Sequence, residues 1–350
     1  MKELTNTVAA VTGAASGIGQ AVAIGLAREG CHVAVSDINE TGLQDTVKIL
    51  ESMGAVVTAQ KLDVTDRSAM EAWAAKIAAE LGGINIIVNN AGVGLSATVE
   101  DMSYEDFEWL MDINFWGVVY GTKAFLPYLQ KEKEGHIVNI SSVAGIVSAP
   151  TGSAYCAAKF AVRGFTESLR QELEIGGSNV SCTTIHPGGI KTNIAKTSRV
   201  TESEMLPMDQ EEMADDFSKL ALTTPEGAAK VIIEGIQKNK RRVLIGNDAR
   251  VIDIVQRILP TAYQRLVSTG MKFTFRNRKS KSQSVASPAP VTAVVPSVAP
   301  PTQEKAKAPV KAKAPAKAKT PAKASEPVKA SAPAKPEPKK SESKVEASAE

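Results

Sequence analysis

The chain has 350 residues, a formal net charge of +3, three cysteines and three histidines. The charge is divided: from Lys281 onward 13 Lys face 6 Glu, a net of +7, which leaves 28 basic and 32 acidic residues before it, a net of −4. The body therefore offers no basic surplus to nucleic acid as a substrate, and Cys31, Cys156 and Cys182 lie in no metal-ligand or disulfide spacing.

The first residues, MKELTNTVAAVTG, lack the basic and then apolar segments of a signal peptide. No stretch approaches the roughly 20 apolar residues of a membrane span. A cytoplasmic protein is expected, its cysteines buried and reduced. In chain order, Val8–Thr12, His32–Ser36, Ala55–Gln60, Ile84–Val88, His136–Ile140 and Val180–Ile185 are short apolar runs of buried-strand type. Between them Ile18–Glu29, Glu40–Met53, Arg67–Leu81, Tyr104–Gln130, Ala154–Glu174 and Pro225–Gln237 carry helical spacing. Nearly all-apolar strands alternating with helices predict an α/β, doubly wound parallel sheet in a single domain over residues 1–250, with ligands at the carboxyl ends of the strands.

The stretch Lys191–Lys219 is polar, acidic and weakly periodic, which suits a lid. Val251, Ile254, Val255, Ile258, Leu259, Ala262, Tyr263, Leu266 and Val267 then form one helical stripe in a segment over 251–279, and Pro260 should kink or break it. Three readings of that stripe remain open: packing on the body or a second subunit, a wall of the substrate channel, or an interfacial membrane anchor. Residues 280–350 hold no aromatics and repeat Lys, Ala and Pro, a composition that cannot offset its ordering entropy. That tail reads as a disordered, solubilising extension or as a weak contact for polyanions or a membrane surface. No sequence-specific nucleic-acid binding is expected of it.

The first strand runs into Gly13-Ala14-Ala15-Ser16-Gly17-Ile18-Gly19 and then a helix. Glycines allow a pyrophosphate to approach the backbone, and the helix N-terminus supplies N–H groups and a favourable dipole. Asp37 follows 18 residues after Gly19, where a carboxylate can accept both adenosine ribose hydroxyls and repel a 2′-phosphate. No Lys or Arg stands at Ala15, Ser16, Ile38 or Asn39. The expected cofactor is NAD(H), with NADP(H) the less favoured choice; the bland alternative makes Asp37 a cap for the next turn. Asp63-Val64 and Asn89-Asn90-Ala91-Gly92 close the third and fourth strands. The two asparagines suit either cofactor contact or strand support.

Asn139-Ile140-Ser141-Ser142 ends the fifth strand; Tyr155 follows 13 residues after Ser142, and Lys159 four later. Tyr and Lys at i, i+4 share a helix face. A nearby cation favours a phenolate, which can take the proton of an alcohol as hydride leaves its carbon. Ser142 would hold the substrate oxygen.

With Thr12–Gly19, Asp63, Asn89–Gly92, Asn114, Ser142, Tyr155, Lys159, Pro187-Gly188 and Thr192 in order, the chain resembles the classical short-chain dehydrogenase/reductase family over residues 5–246. The resemblance implies a Rossmann-like domain, catalytic roles for Asn114, Ser142, Tyr155 and Lys159, and a water held by Asn114 that links Lys159 to solvent. It places Gly13, Ser16, Gly17, Ile18, Gly19 and Asp37 along the pyrophosphate and ribose, and Asp63 and Val64 by the adenine. Asn90, Ala91 and Gly92 line the cofactor, with Tyr155 and Lys159 at its second ribose and Pro187, Gly188, Ile190 and Thr192 at the nicotinamide. It also implies a homo-oligomer, dimer or tetramer, joined through the helices of Asn114 and Tyr155. The chain departs from the family at Gly189, which is expected to enlarge the nicotinamide pocket, and at Ala158, which is expected to be tolerated.

Val93–Ala97, Val143–Pro150 and the lid from Ile194, with Met205, Leu206 and Met208, are mostly apolar. An NAD-dependent oxidoreductase of a small hydrophobic secondary alcohol or ketone is the expected function. The rival is a catalytically silent dinucleotide sensor or scaffold, targeted by its basic tail to a polyanionic surface. The presence of all four catalytic candidates favours the enzyme. No metal is expected.

Overall fold

A computed structural model describes residues 1–201 and 210–272, all in one compact unit. The lid residues Met205, Leu206 and Met208, and the tail from Ser280, lie outside the described residues.

The chain runs β1 (Val8–Thr12), α1 (Gly17–Arg28), β2 (His32–Asp37), α2 (Glu40–Ser52), β3 (Val57–Lys61), α3 (Arg67–Leu81), β4 (Ile86–Asn89) and β5 (Leu95–Ser96). It continues through α4 (Tyr104–Met111), α5 (Gly117–Leu129), β6 (Gly135–Ile140), α6 (Ser153–Ile175), β7 (Val180–Pro187) and β8 (Arg199–Val200). Last come α7 (Gln210–Leu220), α8 (Pro225–Gln237), β9 (Arg242–Ile245) and α9 (Asn247–Ile258), with residues 263–272 helical again. Seven strands form one parallel sheet in the order β3-β2-β1-β4-β6-β7-β9. The order reverses beside β1, so the crevice of a doubly wound sheet opens where Thr12 and Asn89 end neighbouring strands.

Side-chain alternation on the strands divides the core in two. Ala9 and Val11 point to one face, under Leu26, Leu43, Leu50, Ile232 and Ile236 of α1, α2 and α8. Val8 and Ala10 point to the other, under Met70, Trp73, Phe125 and Leu129 of α3 and α5. The expected fold class holds, a Rossmann-like α/β domain. Among the described residues no helix is long and apolar enough to cross a membrane.

Three features differ from the expectation. The helix expected over Tyr104–Gln130 is broken by a π-helical turn at Asp112–Trp116, in which the Gly117 N–H donates to the Asp112 carbonyl. The buried residues Leu110, Asn114, Val118 and Phe125 keep a helical spacing across it, so the sequence reads straight through. The strand Arg242–Ile245 was not foreseen: it is short, lies at the sheet edge and is bordered by Arg and Lys. Inside the expected lid, Arg199 and Val200 pair in parallel with Leu95 and Ser96. As expected, the C-terminal stripe breaks at Pro260.

A buried polar chain joins the strands that carry the site. Asn89 Nδ2 donates to Asn139 Oδ1 at 2.8 Å and to Thr122 Oγ1 at 3.2 Å, and Asn139 Nδ2 donates to Thr166 Oγ1 at 3.0 Å. It ties β4 and β6 to α5 and α6 just below the loops of Asn90 and Ser142, and of the two alternatives Asn89 takes strand support. Replacing Asn139 by Ala removes one buried partner from each of Asn89 and Thr166, which keep only their bonds to Thr122 and the Val162 carbonyl. We expect a loss of about 2–3 kcal/mol in urea unfolding, with an unchanged m-value.

Candidate active site

The glycine loop is shaped by the backbone that closes on it. Gly13 and Gly17 have φ of +66° and +57°. A Cβ on Gly13 would lie 2.8 Å from the Ala91 Cα, and one on Gly19 would overlap the Gly13 carbonyl. The Ser16 side chain caps none of the first N–H groups of α1. Those donors therefore face the crevice opposite Thr192, whose Cγ2 lies 3.1 Å from where a Gly17 Cβ would be. The loop is pinned by Asn90, whose Nδ2 donates to the Thr12 and Gly13 carbonyls at 2.9 and 3.1 Å. Thr12 Oγ1 in turn accepts the N–H groups of Asn90 and Ala91 at 3.0 and 3.1 Å. Asn90 is thus committed to support through its amide.

Asp37 does two jobs. Its Oδ1 accepts the Asn39 N–H at 2.8 Å, the turn contact weighed above, while Oδ2 accepts the Ala15 N–H at 2.9 Å and fastens β2 to the glycine loop. Asp63 folds its own turn by accepting the Thr65 N–H and hydroxyl at 2.9 and 2.8 Å. Val64 beside it is buried against Gly117.

On the other side of the crevice, Ser142 Oγ accepts the Ala144 N–H at 3.1 Å and is hydrogen-bonded to the Tyr155 phenol. Lys159 is buried with its Nζ 5.6 Å from the Tyr155 ring centroid, donating to the Ile140 carbonyl at 3.1 Å. The Ser141 hydroxyl donates to the Lys159 carbonyl at 2.8 Å, and Gly145 lets the turn after Ser142 lie flat on α6. Burial pushes Lys159 down to about 8 and Tyr155 up to about 12, the Ser142 hydrogen bond offsetting part of the latter. The expected lowering of the phenol by its lysine neighbour is therefore not found in the free protein. Both groups sit in the same dry pocket, which favours the neutral form of each.

Asn114 is fully buried in the π-helical turn; its Oδ1 accepts the Val93 N–H and its Nδ2 donates to the Val93 carbonyl, each at 2.8 Å. Gly92 is wedged between Asn114 and Lys159: a Cβ there would stand 3.0 Å from Asn114 Oδ1 and 3.5 Å from Lys159 Nζ. The Asn114 amide is thereby committed at both atoms to Val93.

Two residues that the sequence did not flag shape the turn after β7 and the loop of Ser142. Asp248, at the start of α9, accepts the Gly189 N–H at 2.6 Å, and a Cβ on Gly188 would strike its carboxylate. His186, pushed down to about 4 by burial, shares a 2.9 Å hydrogen bond between Nδ1 and the Ser142 carbonyl. Each acts on a backbone group far away in sequence, so no motif could have marked it. Gly189 does not enlarge the pocket. A Cβ there would lie 2.9 Å from the Ala221 Cα and 3.0 Å from the Leu220 carbonyl, so the end of α7 fills that space. Lys191 continues the seam, its N–H donating to Thr223 at 2.9 Å beside the bridge between Ile190 and Thr223. The stem of the expected lid is latched by Arg199, which lies 3.6 Å over the Trp109 ring and pairs with Asp106 at 2.6 Å. Ala158 sits among Leu110 and Ala154, an apolar setting that needs no hydroxyl.

The cradle fits a dinucleotide: open N–H groups at α1, no room for a side chain at Gly13 or Gly19, and an acceptor at Asp37. Among the described residues no cluster of His, Cys, Asp or Glu is placed to hold a metal ion, and all three cysteines are buried and free.

Residues 7–203 match the family described as short chain dehydrogenase. The chain belongs to the short-chain dehydrogenase family. This short-chain dehydrogenase is 44% identical over 272 residues to a Mycobacterium tuberculosis protein named as oxidoreductase SadH, covering 77% of this chain and 97% of that one. It is 35% identical over 234 residues to the 3-oxoacyl-[acyl-carrier-protein] reductase FabG of Thermotoga maritima, covering 66% of this chain and 90% of that one. A crystal structure of a short-chain dehydrogenase/reductase from Burkholderia phymatum in complex with NAD superposes with a TM-score of 0.64 at 31% identity, over 70% of this chain and 90% of the other. The protein is accordingly an oxidoreductase of this family.

The lysine leaves a signature in stability. Its folded value lies below the ordinary 10.5, at about 8, so the charged form opposes folding. That penalty is full below pH 8, shrinks between pH 8 and 10.5 and is gone above it. We expect Lys159→Met to raise the melting temperature of the cofactor-free protein at pH 7. The gain should narrow steadily from pH 8 to pH 10.5, as followed by thermal melts across the pH range.

Proposed function

We propose that this short-chain dehydrogenase interconverts a small apolar secondary alcohol and its ketone, using NAD(H), with Tyr155 as the proton-transferring group. The observation that carries the reading is the convergence of the Ser142 hydroxyl, the Tyr155 phenol and the Lys159 ammonium at the crevice facing the glycine loop. A bound nicotinamide dinucleotide supplies the two-electron carrier that takes or gives the hydride. Gly13, Ser16, Gly17, Ile18 and Gly19 would hold its pyrophosphate, Asp37 one ribose, and Asp63 and Val64 the adenine side. Asn90, Ala91 and Gly92 would form the wall between the halves, Tyr155 and Lys159 would reach the second ribose, and Pro187, Gly188, Ile190 and Thr192 would orient the nicotinamide.

Ser142 then fixes the substrate oxygen beside the phenol. In the direction of ketone reduction Tyr155 gives its proton to that oxygen; in alcohol oxidation the phenolate takes it back. Lys159 holds positive charge near the phenol once it is protonated, and Asn114 fixes the segment against which Lys159 packs. The preference for NAD(H) is supported by the Asp37 carboxylate and by the lack of a base at Ala15, Ser16, Ile38 and Asn39. The apolar loop Val143–Pro150 and the relative named for a 3-oxoacyl group support a carbonyl substrate with an apolar body. Exposed Trp116 beside α5 and Phe160 on α6 support a homo-oligomer, dimer or tetramer, joined through those helices.

The test follows reduced nicotinamide by absorbance, with NAD+ and NADP+ against aliphatic, cyclic and aromatic secondary alcohols. Turnover of apolar alcohols with NAD+ is expected; turnover confined to sugars or charged acids would sink the substrate reading. If no alcohol reacts while NADH still binds, the protein is a dinucleotide sensor instead. Tyr155→Phe should bind NADH as tightly as the parent and lose about 10²–10⁴ in turnover. Asp37→Asn keeps an acceptor for the Ala15 N–H but removes the charge, so kcat/KM for NADP+ relative to NAD+ should rise about ten-fold or more.

A further inference from the structure

The C-terminal segment has two unlike faces. Its inward face is fully employed. Asp248 holds the Gly189 N–H, and Asp253 is buried and pairs with Arg242 at 2.7 Å and Arg257 at 3.0 Å. Tyr263, 7% exposed, accepts the Ser148 N–H at 3.1 Å, so the segment also braces the loop between Ser142 and Tyr155. Of the readings of this segment, packing on the body is realised, by this face alone.

The outward face is apolar and cationic. Val251, Ile254 and Ile258, at i, i+3 and i+7 on α9, are 58%, 55% and 71% exposed, and Leu259 and Leu266 are exposed beyond them. Arg250, Arg257, Arg265 and Lys272 flank them, also exposed. No carboxylate among residues 247–272 is exposed, because Asp248 and Asp253 are both turned to the body. The sequence continues the pattern: between Asp253 and Glu304 there is no Asp or Glu, but seven Lys or Arg together with Met271, Phe273 and Phe275.

We propose that this face docks the enzyme on an anionic lipid surface. Apolar side chains at helical spacing with a rim of cations are what an interfacial helix needs, the former entering the headgroup boundary and the latter meeting lipid phosphates. A second copy of the chain fits less well. Pairing the face with itself would bring Arg250, Arg257 and Arg265 against one another with no exposed acid between them. The attachment is peripheral and places the Ser148 loop, braced by Tyr263, beside the membrane.

The test is co-sedimentation of the full chain with phosphatidylcholine vesicles, with and without phosphatidylglycerol. Binding to the anionic vesicles, weakened by salt, is expected. The triple variant Val251→Ser, Ile254→Ser, Ile258→Ser changes only exposed side chains. With its melting temperature and NADH binding intact, it should lose about ten-fold in vesicle affinity. Arg250→Glu with Arg265→Glu should weaken binding in the same way, which covers any failure of the first variant to fold. Three results would overturn the proposal. The parent could remain in the supernatant, or the variants could bind as the parent does, which moves the attraction to the unaltered tail. A triple variant that dissociates an oligomer in light scattering, without losing vesicle binding, would make the face a contact between copies. None of these readouts needs turnover, so failure here is separable from failure of the proposed reaction.

Discussion

Burial of the Lys159 ammonium is the constraint around which the catalytic half of the molecule is arranged. Among the described residues nothing answers its charge strongly enough to offset desolvation, and it settles on the Ile140 carbonyl with its acidity raised to about 8. Holding an expensive group in one place requires rigid surroundings. The hydroxyl of Ser141 clamps the lysine's own carbonyl, and Gly145 brings the following turn flat against α6. Gly92 leaves the space that Nζ fills, and Asn114 locks Val93 next to it with both amide atoms. Residues from two loops and a π-helical turn are thereby fixed relative to one side chain, and Ser142 and Tyr155 inherit that precision.

The same dryness sets the protonation of the pair. A cation 5.6 Å from the phenol ring would favour the phenolate in water. Here the apolar pocket outweighs it and holds the phenol near 12. In the free protein at neutral pH Tyr155 therefore carries its proton. Additional positive charge entering the pocket would favour the phenolate. Free protein and loaded enzyme should thus differ in acidity more than in shape.

How much of this the sequence disclosed depends on the range of each interaction. The glycine loop, Asp37, Ser142 and the Tyr155–Lys159 pair are legible because strand, turn and helix impose fixed local spacings. The buried partners of Asn89 and Asn90 are not, since an amide gives no sign of which backbone it will meet: Asn90 binds Thr12 and Gly13, 77 and more residues away. Asp248 and His186 are silent for the same reason. Gly189 misled in the opposite sense. A small residue reads as empty space, yet the backbone of Leu220 and Ala221 occupies it. The π-helical turn escaped because the buried residues Leu110, Asn114, Val118 and Phe125 keep a helical spacing in the sequence across it.

The C-terminal segment shows how a helix can serve both core and surface without compromise. A residue on α9 that must reach the Pro187–Gly189 turn or Arg242 is acidic, because it meets N–H groups and a guanidinium. Spending both acids inward strips the outer face of negative charge. The exposed cations and the Val251, Ile254 and Ile258 row are what remain. The chemistry that stiffens the turn after Pro187 thus also determines the electrostatic sign of the outward surface. An anionic, partly apolar partner is the one such a surface can meet without leaving a charge unanswered, and that partner would lie next to the loop that Tyr263 braces at Ser148.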